Sequence, residues 1–294
     1  MNTLSEILRS DFLLRDALIG SVLVGSICPL IGVYFILRRM IFLGVALPQV
    51  SAAGISAAFL LYSIFVGPHE SLAGGERLLA IVGSATFTLT ATLVLALMER
   101  RGHERVEARI GAIYAVAAAA TMLLLAKDPH GDAQIVGLLK GDILATTSAS
   151  LNVMLVTFGA AALVLFAFRK ELLLVSFDRD LAVVFGKRAA LWDVVLYVVI
   201  AAVISLGVMA AGPMATFGFL VVPPLAVRLI THRMLTFSIA SAALGGAAAF
   251  AGFYCAYRYD LPLAPAEVGV ASLALLAIGT VTALKRAVAR RRAT

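Results

Sequence analysis

Eight long uncharged runs are the feature that most limits how this chain can fold. Each run has at least about 17 residues, enough for a helix to cross a bilayer core. The chain is 62% hydrophobic and 14% charged, with a mean hydropathy of +1.01, whereas soluble domains carry about 25% charged residues. The pattern predicts an all-α polytopic membrane protein. The runs are residues 17–37, 40–68, 78–98, 110–126, 143–168, 194–227, 234–257 and 268–284.

The run 194–227 is too long to be one simple span. As a single helix its 34 residues would extend about 50 Å, against a bilayer core of about 30 Å. Gly212-Pro213 is the expected break, because proline interrupts the hydrogen-bond ladder of a helix. We therefore predict a span to about residue 211, then a shorter broken or re-entrant segment that contains Pro223-Pro224. The total is eight to nine transmembrane helices.

Positive charge predicts the orientation of the bundle. The net charge is +7, and the basic loops alternate with the others along the chain, as expected if they lie in the cytoplasm. The C-terminal tail, residues 285–294, is one of them. Residues 1–16 mix charged and apolar side chains and predict an amphipathic interfacial helix on the other side. Neither repeats nor linkers stand out, so we expect a single transmembrane domain over residues 1–294.

The segment 172–192, LLLVSFDRDLAVVFGKRAALW, separates two of the uncharged runs and is amphipathic. Asp178 is a good N-cap, Asp180 lies near the positive end of the helix dipole, and Gly186 suits a left-handed C-terminal position. The segment predicts a short surface helix, either an ordinary connection or a place where a partner docks. The residues that carry this prediction are Phe177, Asp178, Asp180, Leu181 and Gly186.

Several catalytic motifs are absent from the sequence. There is no GxxxxGK[ST] phosphate loop, no HExxH and no GxSxG, which argues against an ATPase, a zinc peptidase and a serine hydrolase. Glu and His are nearly missing from the uncharged runs, which disfavours a proton-relay pump. We therefore expect a transport protein that is not an enzyme and that takes its energy from a partner.

The segment FDRDLAVVFGKR (177–188) resembles the cytoplasmic coupling segment of the ABC-3 permeases, the membrane subunits of zinc, manganese and iron ABC importers. Other stretches follow in the order that this family shows. They are FILRRMIFLGVALPQVSAAG (35–54), VEARIGAIYAV (106–116), LLKGDIL (138–144), GVMAAGPMATFGFLVVPPLAVRLITHRM (207–234) and DLPLAPAEV (260–268). The resemblance covers about residues 15–285.

The resemblance implies a type II importer bundle in the bacterial inner membrane, with the C-terminus in the cytoplasm. It implies two permease copies, expected to be identical, and two ATPase subunits that carry ATP and Mg²⁺ and dock at segment 172–192. A periplasmic or lipoprotein solute-binding protein would deliver a divalent metal, zinc or manganese. The expected mechanism is ATP-driven alternating access. No cofactor is expected on this chain, and its remaining contacts are with membrane lipid and not with nucleic acid.

The chain departs from the family at two positions that affect which substrate it could bind. Where the family usually has an Asp and a His one turn apart on the second span, this chain has Val45 and Gln49. An Asp/His pair at that spacing faces one side of a helix and suits a borderline cation such as zinc. Val45 cannot bind a metal, and Gln49 offers only a carbonyl oxygen.

Candidate pathway residues are polar or sulfur-containing groups inside the uncharged runs or beside the expected break. The pathway candidates are Gln49, Ser51, Met209, Met214 and Thr216. Each has an alternative role in helix packing or helix–helix hydrogen bonding. Asp128, His130 and Asp132 form a possible metal cluster outside the membrane, since carboxylate and imidazole suit Zn²⁺ or Mn²⁺, although a solvated loop is the more usual explanation for such charged residues.

Two other functions fit part of the pattern. The same ABC machinery could carry a metal chelate or a small organic solute, which the loss of Asp and His on the second span favours. A secondary carrier or channel without an ATPase is the second alternative, and the coupling-type segment argues against it.

Overall fold

The computed structural model describes residues 14–66, 75–99, 106–127, 143, 147–231 and 233–293. This described part contains ten α-helices and no strand, and eight of the helices are long and apolar enough to cross a membrane. The predicted all-α polytopic architecture is therefore confirmed. The helices are α1 (Arg15–Leu37), α2 (Leu43–Val66), α3 (Glu76–Glu99), α4 (Val106–Lys127), α5 (Ser148–Ala167), α6 (Arg169–Phe177), α7 (Arg179–Val184), α8 (Ala189–Arg228), α9 (Met234–Tyr259) and α10 (Leu263–Ala293).

The first and the last spanning helices both begin earlier in the sequence than expected. Helix α1 begins at Arg15, so Arg15 and Asp16 belong to the first spanning helix and not to the interfacial helix expected over 1–16. Residues 1–13 lie outside the described part. Helix α10 begins at Leu263 and not at 268. Pro265 lies in its first turn, where proline is tolerated because its missing N–H would have no partner within the helix.

Helices α1 and α8 lie at the centre of the bundle. Helix α1 packs against α8 and α9, and α8 also packs against α2, α3 and α10. Small residues allow the closest approaches, as at other membrane helix interfaces. A Cβ atom on Gly54 of α2 would lie 2.5 Å from the carbonyl oxygen of Gly83 of α3. No larger side chain fits there without separating the two helices.

The break predicted at Gly212-Pro213 is confirmed. Gly212 has φ 80° and ψ 166°, a conformation essentially restricted to glycine, while the residues on either side are helical. A Cβ atom on Gly207 would lie 3.2 Å from Cγ2 of Thr216. Nine residues of straight helix would separate these positions by about 13.5 Å, so the chain turns back on itself at Gly212.

The two arms of α8 run in opposite directions beside α1. In the first arm, Asp193 contacts Arg38 at the end of α1, and Gly207 lies next to Cys28 in the middle of α1. In the second arm, 213–228, the chain returns toward the end of α1, where Val227 packs with Val33. The second arm has 16 residues, about 24 Å of helix, which is shorter than a bilayer core of about 30 Å.

The bundle has two distinguishable ends. One, which we call the Arg38 end, contains the C-terminus of α1, helices α6 and α7, both ends of α8 and the start of α9. At the other, which we call the Glu267 end, Ser148 donates a hydrogen bond to Asp16 and Ser21 donates one to Glu267. The basic segments 169–188 and 228–233 both lie at the Arg38 end, as the predicted topology requires.

Candidate functional site

The segment 172–192 is built from parts of three helices and not from the single short helix expected. Helix α6 ends at Phe177, and Asp178 adopts an extended conformation with φ −150° and ψ 103°. The Asp178 carboxylate accepts a hydrogen bond from the backbone N–H of Leu181 at 2.9 Å, which confirms it as the N-cap of α7. The extended residue redirects the chain, so α6 and α7 are separate.

The end of α7 is closed by Gly186. Its φ of 72° lies in the left-handed region, as expected from the sequence. The N–H of Gly186 donates to the carbonyl of Val183, and the N–H of Lys187 donates to that of Ala182, at 2.9 and 3.0 Å. This pair of bonds is a Schellman motif, which glycine favours because it has no Cβ atom. Helix α7 therefore has a defined cap at each end.

One face of the segment is apolar and exposed. Phe177 is 57% exposed and Phe185 66% exposed, and Leu181 and Val184 are also exposed. The opposite face packs onto the bundle through Ala182, which is buried with Val175 and Ala189. A contiguous apolar patch rimmed by charge is typical of an interaction surface. Asp180 is exposed beside this patch and lines a shallow groove with Arg179, Lys187 and Arg188.

A buried ionic network joins this segment to the centre of the bundle. Nη2 of Arg38 lies 2.8 Å from Oδ1 of Asp193, and the two side chains are only 8% and 11% exposed. Nε of Arg38 donates to Ser176 at 3.2 Å, and Nη1 donates to the hydroxyl of Tyr197 at 3.4 Å. Nε of Arg179 lies 3.4 Å from the other carboxylate oxygen of Asp193. Helices α1, α6, α7 and α8 are thereby fixed to one another.

Two further contacts brace the same region. Nζ of Lys187 lies 3.6 Å from Oε1 of Glu171, and the rings of Phe168 and Trp192 meet at a centroid distance of 5.1 Å. Sequence reasoning did not identify the network, because Arg38 and Asp193 are 155 positions apart. In the sequence, the pair is indicated only by position: Arg38 directly follows the uncharged run 17–37, and Asp193 directly precedes the run 194–227.

Ser51 belongs to a row of three buried hydroxyl groups. Its Oγ lies 2.5 Å from Oγ of Ser84 in α3, and Ser205 in α8 donates to Ser84 at 2.7 Å. All three side chains are almost completely buried. The row joins α2, α3 and the first arm of α8 close to the turn at Gly212. Ser84 and Ser205 were not among the sequence-based candidates.

The other pathway candidates lie at different depths. Thr216 is buried and donates to the carbonyl of Gly212 at 2.8 Å, which places it at the turn. Met209 packs on the edge of the core, whereas Met214 is 56% exposed and points away from it. Gln49 is half-buried on α2, one turn after the half-buried Val45. The structure brings Ser51, Met209 and Thr216 near the turn of α8 but does not gather all five candidates.

Metal-ligand clusters are absent from the described ranges, in which no group of three or more His, Cys, Asp and Glu side chains occurs. Asp128, His130 and Asp132 lie outside those ranges. Glu267 directly precedes the last uncharged run, 268–284, and so was not expected inside a spanning helix. It is completely buried in α10, where it accepts a hydrogen bond from Ser21.

The fold is that of an ABC transporter permease. The PsaBC complex from Streptococcus pneumoniae bound to a Fab superposes with a TM-score of 0.77 at 20% identity, covering 94% of each chain. The chain belongs to the ABC 3 transport family, whose sequence profile matches residues 10–282.

Curated relatives extend over most of the chain. A manganese transport system membrane protein of Listeria monocytogenes is 23% identical over 88% of this chain and 87% of its own length. A manganese import system permease protein of Streptococcus gordonii is 24% identical over 90% of this chain and 89% of its own length. The family resemblance inferred from segment 177–188 and the stretches around it is therefore confirmed.

Proposed function

We propose that this chain is the membrane-spanning subunit of an ATP-driven importer for a divalent metal ion, with manganese as the first candidate and zinc or iron next. Support comes from membership of the ABC 3 transport family and from the names of the manganese relatives. The chain works with separate ATPase subunits that bind ATP and Mg²⁺, a second permease copy and a solute-binding protein. It lies in the bacterial inner membrane with its C-terminus in the cytoplasm.

The observation that carries this proposal is the Asp193 network beneath the exposed face of α7. The exposed apolar side chains, among them Phe177 and Phe185, offer a surface to an ATPase. Arg179 in α7 and Arg38 in α1 share the Asp193 carboxylate at the start of α8. A displacement of α7 is therefore passed to two central helices. Because packed cores have discrete arrangements and do not deform continuously, such a push can switch the bundle between two states.

The turn of α8 is the part of the pathway that we expect to move. Gly212 lets the two arms meet at a sharp angle, and the row formed by Ser51, Ser84 and Ser205 links the first arm to α2 and α3. Irregular backbone at membrane depth is tolerated where it is buried in protein or lines a cavity. If the transport pathway opens first to one side of the membrane and then to the other, the two arms of α8 must change how they pack on α2 and α3.

A second candidate function keeps this machinery and changes the cargo to a metal chelate or a small organic solute. Val45 and Gln49 favour it, because an aliphatic side chain and an amide replace the carboxylate and imidazole that would hold a bare cation. An amide hydrogen-bonds readily to an organic ligand but is a poor partner for zinc.

The docking proposal is tested by Phe177→Ala/Phe185→Ala in a complex with the ATPase subunits. The expected result is loss of ATPase co-purification, because both exposed rings are removed while the caps at Asp178 and Gly186 stay intact. The matched control is Val156→Ala/Leu163→Ala, which truncates two equally exposed side chains on α5. Equal ATPase recovery with both double variants would refute the docking role of α7.

The cargo is tested by ATPase stimulation in the reconstituted complex with its solute-binding protein. Manganese, zinc, iron and a metal chelate are compared at equal concentration. Stimulation by a free metal supports the first candidate, and stimulation by the chelate alone supports the second.

A further inference from the structure

A small cavity opens at the Arg38 end of the bundle, between α1, the junction of α5 with α6, and the start of α9. Its volume is about 180 Å³. The walls are largely apolar. They include Leu30, Tyr34, Leu165, Leu173, Met234 and Ser238, and the exposed residues Arg169 and Lys170 lie at the rim.

The rim carries unneutralised positive charge. Arg169 and Lys170 are exposed, and within the described ranges neither forms an ion pair. Arg233 is also exposed and directly precedes Met234, which lines the cavity. The nearest acid along the chain, Glu171, is paired with Lys187. Among the residues that the structure describes, no acidic side chain lines the cavity.

The start of α9 adds to the positive potential. Arg233 occupies the N-cap position, and its own side chain makes no capping hydrogen bond. The first backbone N–H groups of a helix have no partner within the helix, so a helix N-terminus attracts anions. This contribution supports the basic rim of the cavity and does not define the site by itself.

We expect the cavity to lie where lipid headgroups meet the bundle. Tyr34 is one turn from Arg38 in α1, and Met234 begins a spanning helix. The apolar walls therefore lie at the depth of acyl chains, and the three cations lie at the depth of headgroups. A water-soluble anion would make no favourable contact with the apolar walls. A neutral lipid would gain no charge interaction from the basic rim. Basic pockets between membrane helices bind anionic lipid headgroups for these reasons.

We propose that this cavity is a binding site for an anionic phospholipid of the adjacent leaflet. The phosphate lies among Arg169, Lys170 and Arg233, and the upper part of one acyl chain enters between Leu30, Leu165 and Leu173. Helix α6 carries Arg169 and Lys170 and also Ser176 of the Asp193 network. An occupying lipid therefore steadies the helix that precedes α7.

The test is lipid binding to the purified full-length chain in detergent, measured by native mass spectrometry and by the shift of Tm. Phosphatidylglycerol is compared with phosphatidylcholine of the same acyl chains. We expect phosphatidylglycerol to bind more tightly and to raise Tm more. In R169A/K170A its affinity should fall about 30-fold, the loss for two cations near an anionic headgroup.

Two controls separate the site from general surface charge and from misfolding. K285A/R286A removes two basic residues of α10, both exposed, and should keep phosphatidylglycerol binding within about 3-fold, since those residues lie outside the cavity. Ser238→Phe fills the cavity but keeps the rim, and should weaken phosphatidylglycerol while leaving the lipid-free Tm close to that of the parent. Equal affinity for the two lipids, or equal losses in R169A/K170A and K285A/R286A, would overturn the proposal.

Discussion

Replacements at Asp193 test two roles of its buried pair with Arg38. One is to stabilise the fold, and the other is to couple ATP hydrolysis to transport. Asp193→Ala leaves the Arg38 guanidinium, whose side chain is 8% exposed, buried without its counter-ion. Breaking one partner of a buried pair costs about 3–5 kcal/mol. Arg179 is 39% exposed, so Arg179→Ala should cost no more than about 1 kcal/mol.

The paired replacement Arg38→Met/Asp193→Leu distinguishes the two roles. Exchanging a buried ion pair for apolar side chains of similar size is often neutral or stabilising. We therefore expect this double variant to recover most of the stability lost in Asp193→Ala. It should still transport poorly, because it lacks the hydrogen bonds that tie Ser176 and Tyr197 to Arg38.

Both quantities are measurable on the same preparations. Stability is followed as the free energy of unfolding in mixed micelles titrated with denaturing detergent, and coupling as the ratio of substrate transported to ATP hydrolysed in proteoliposomes. The account fails if Asp193→Ala has a free energy of unfolding within about 1 kcal/mol of the parent and also keeps its coupling ratio. The network would then neither stabilise the bundle nor couple ATP hydrolysis to transport.

Three further predictions concern the turn, the serine row and the second helix. Gly212→Ala should destabilise the chain by about 1–3 kcal/mol, since its backbone conformation excludes a Cβ atom, and should slow transport. Gly159→Ala, at a helical position with open space around it, should be neutral or stabilising by thermal unfolding, and equal effects of the two would contradict the role of the turn. Ser84→Ala removes a hydrogen-bond partner from Ser51 and from Ser205 and should cost about 1–3 kcal/mol in the same assay. A change below about 0.5 kcal/mol, the usual range for a surface site, would argue against a tightly bonded row. The double substitution V45D/Q49H sets a carboxylate and an imidazole one turn apart on α2 and should tighten zinc or manganese binding measured by calorimetry; unchanged affinity would mean that this face of α2 does not meet the cargo.

The sequence was most informative where local chemistry decides the structure. Runs of apolar residues predicted the spanning helices, Gly212-Pro213 predicted the break in α8, and Asp178 and Gly186 predicted the caps of α7. Each of these depends on a few neighbouring residues, whose backbone preferences act without help from the rest of the chain.

The parts that escaped sequence analysis depend on contacts between distant segments. The pairing of Arg38 with Asp193, and the row through Ser84 and Ser205, join residues that only the packed bundle brings together. Glu267 lies outside the uncharged run 268–284, yet it is buried in α10, where its backbone closely approaches Gly252. The candidate cluster of Asp128, His130 and Asp132 lies outside the described residues and stays a prediction.

We propose that ATP hydrolysis on a separate subunit drives metal import through this chain by way of α7 and Asp193. The most direct test is uptake of manganese into proteoliposomes that contain the permease, its ATPase and its solute-binding protein. We predict uptake that requires ATP hydrolysis and is abolished by Phe177→Ala/Phe185→Ala. Manganese uptake at an undiminished rate without the ATPase, or with a non-hydrolysable ATP analogue, would contradict the account.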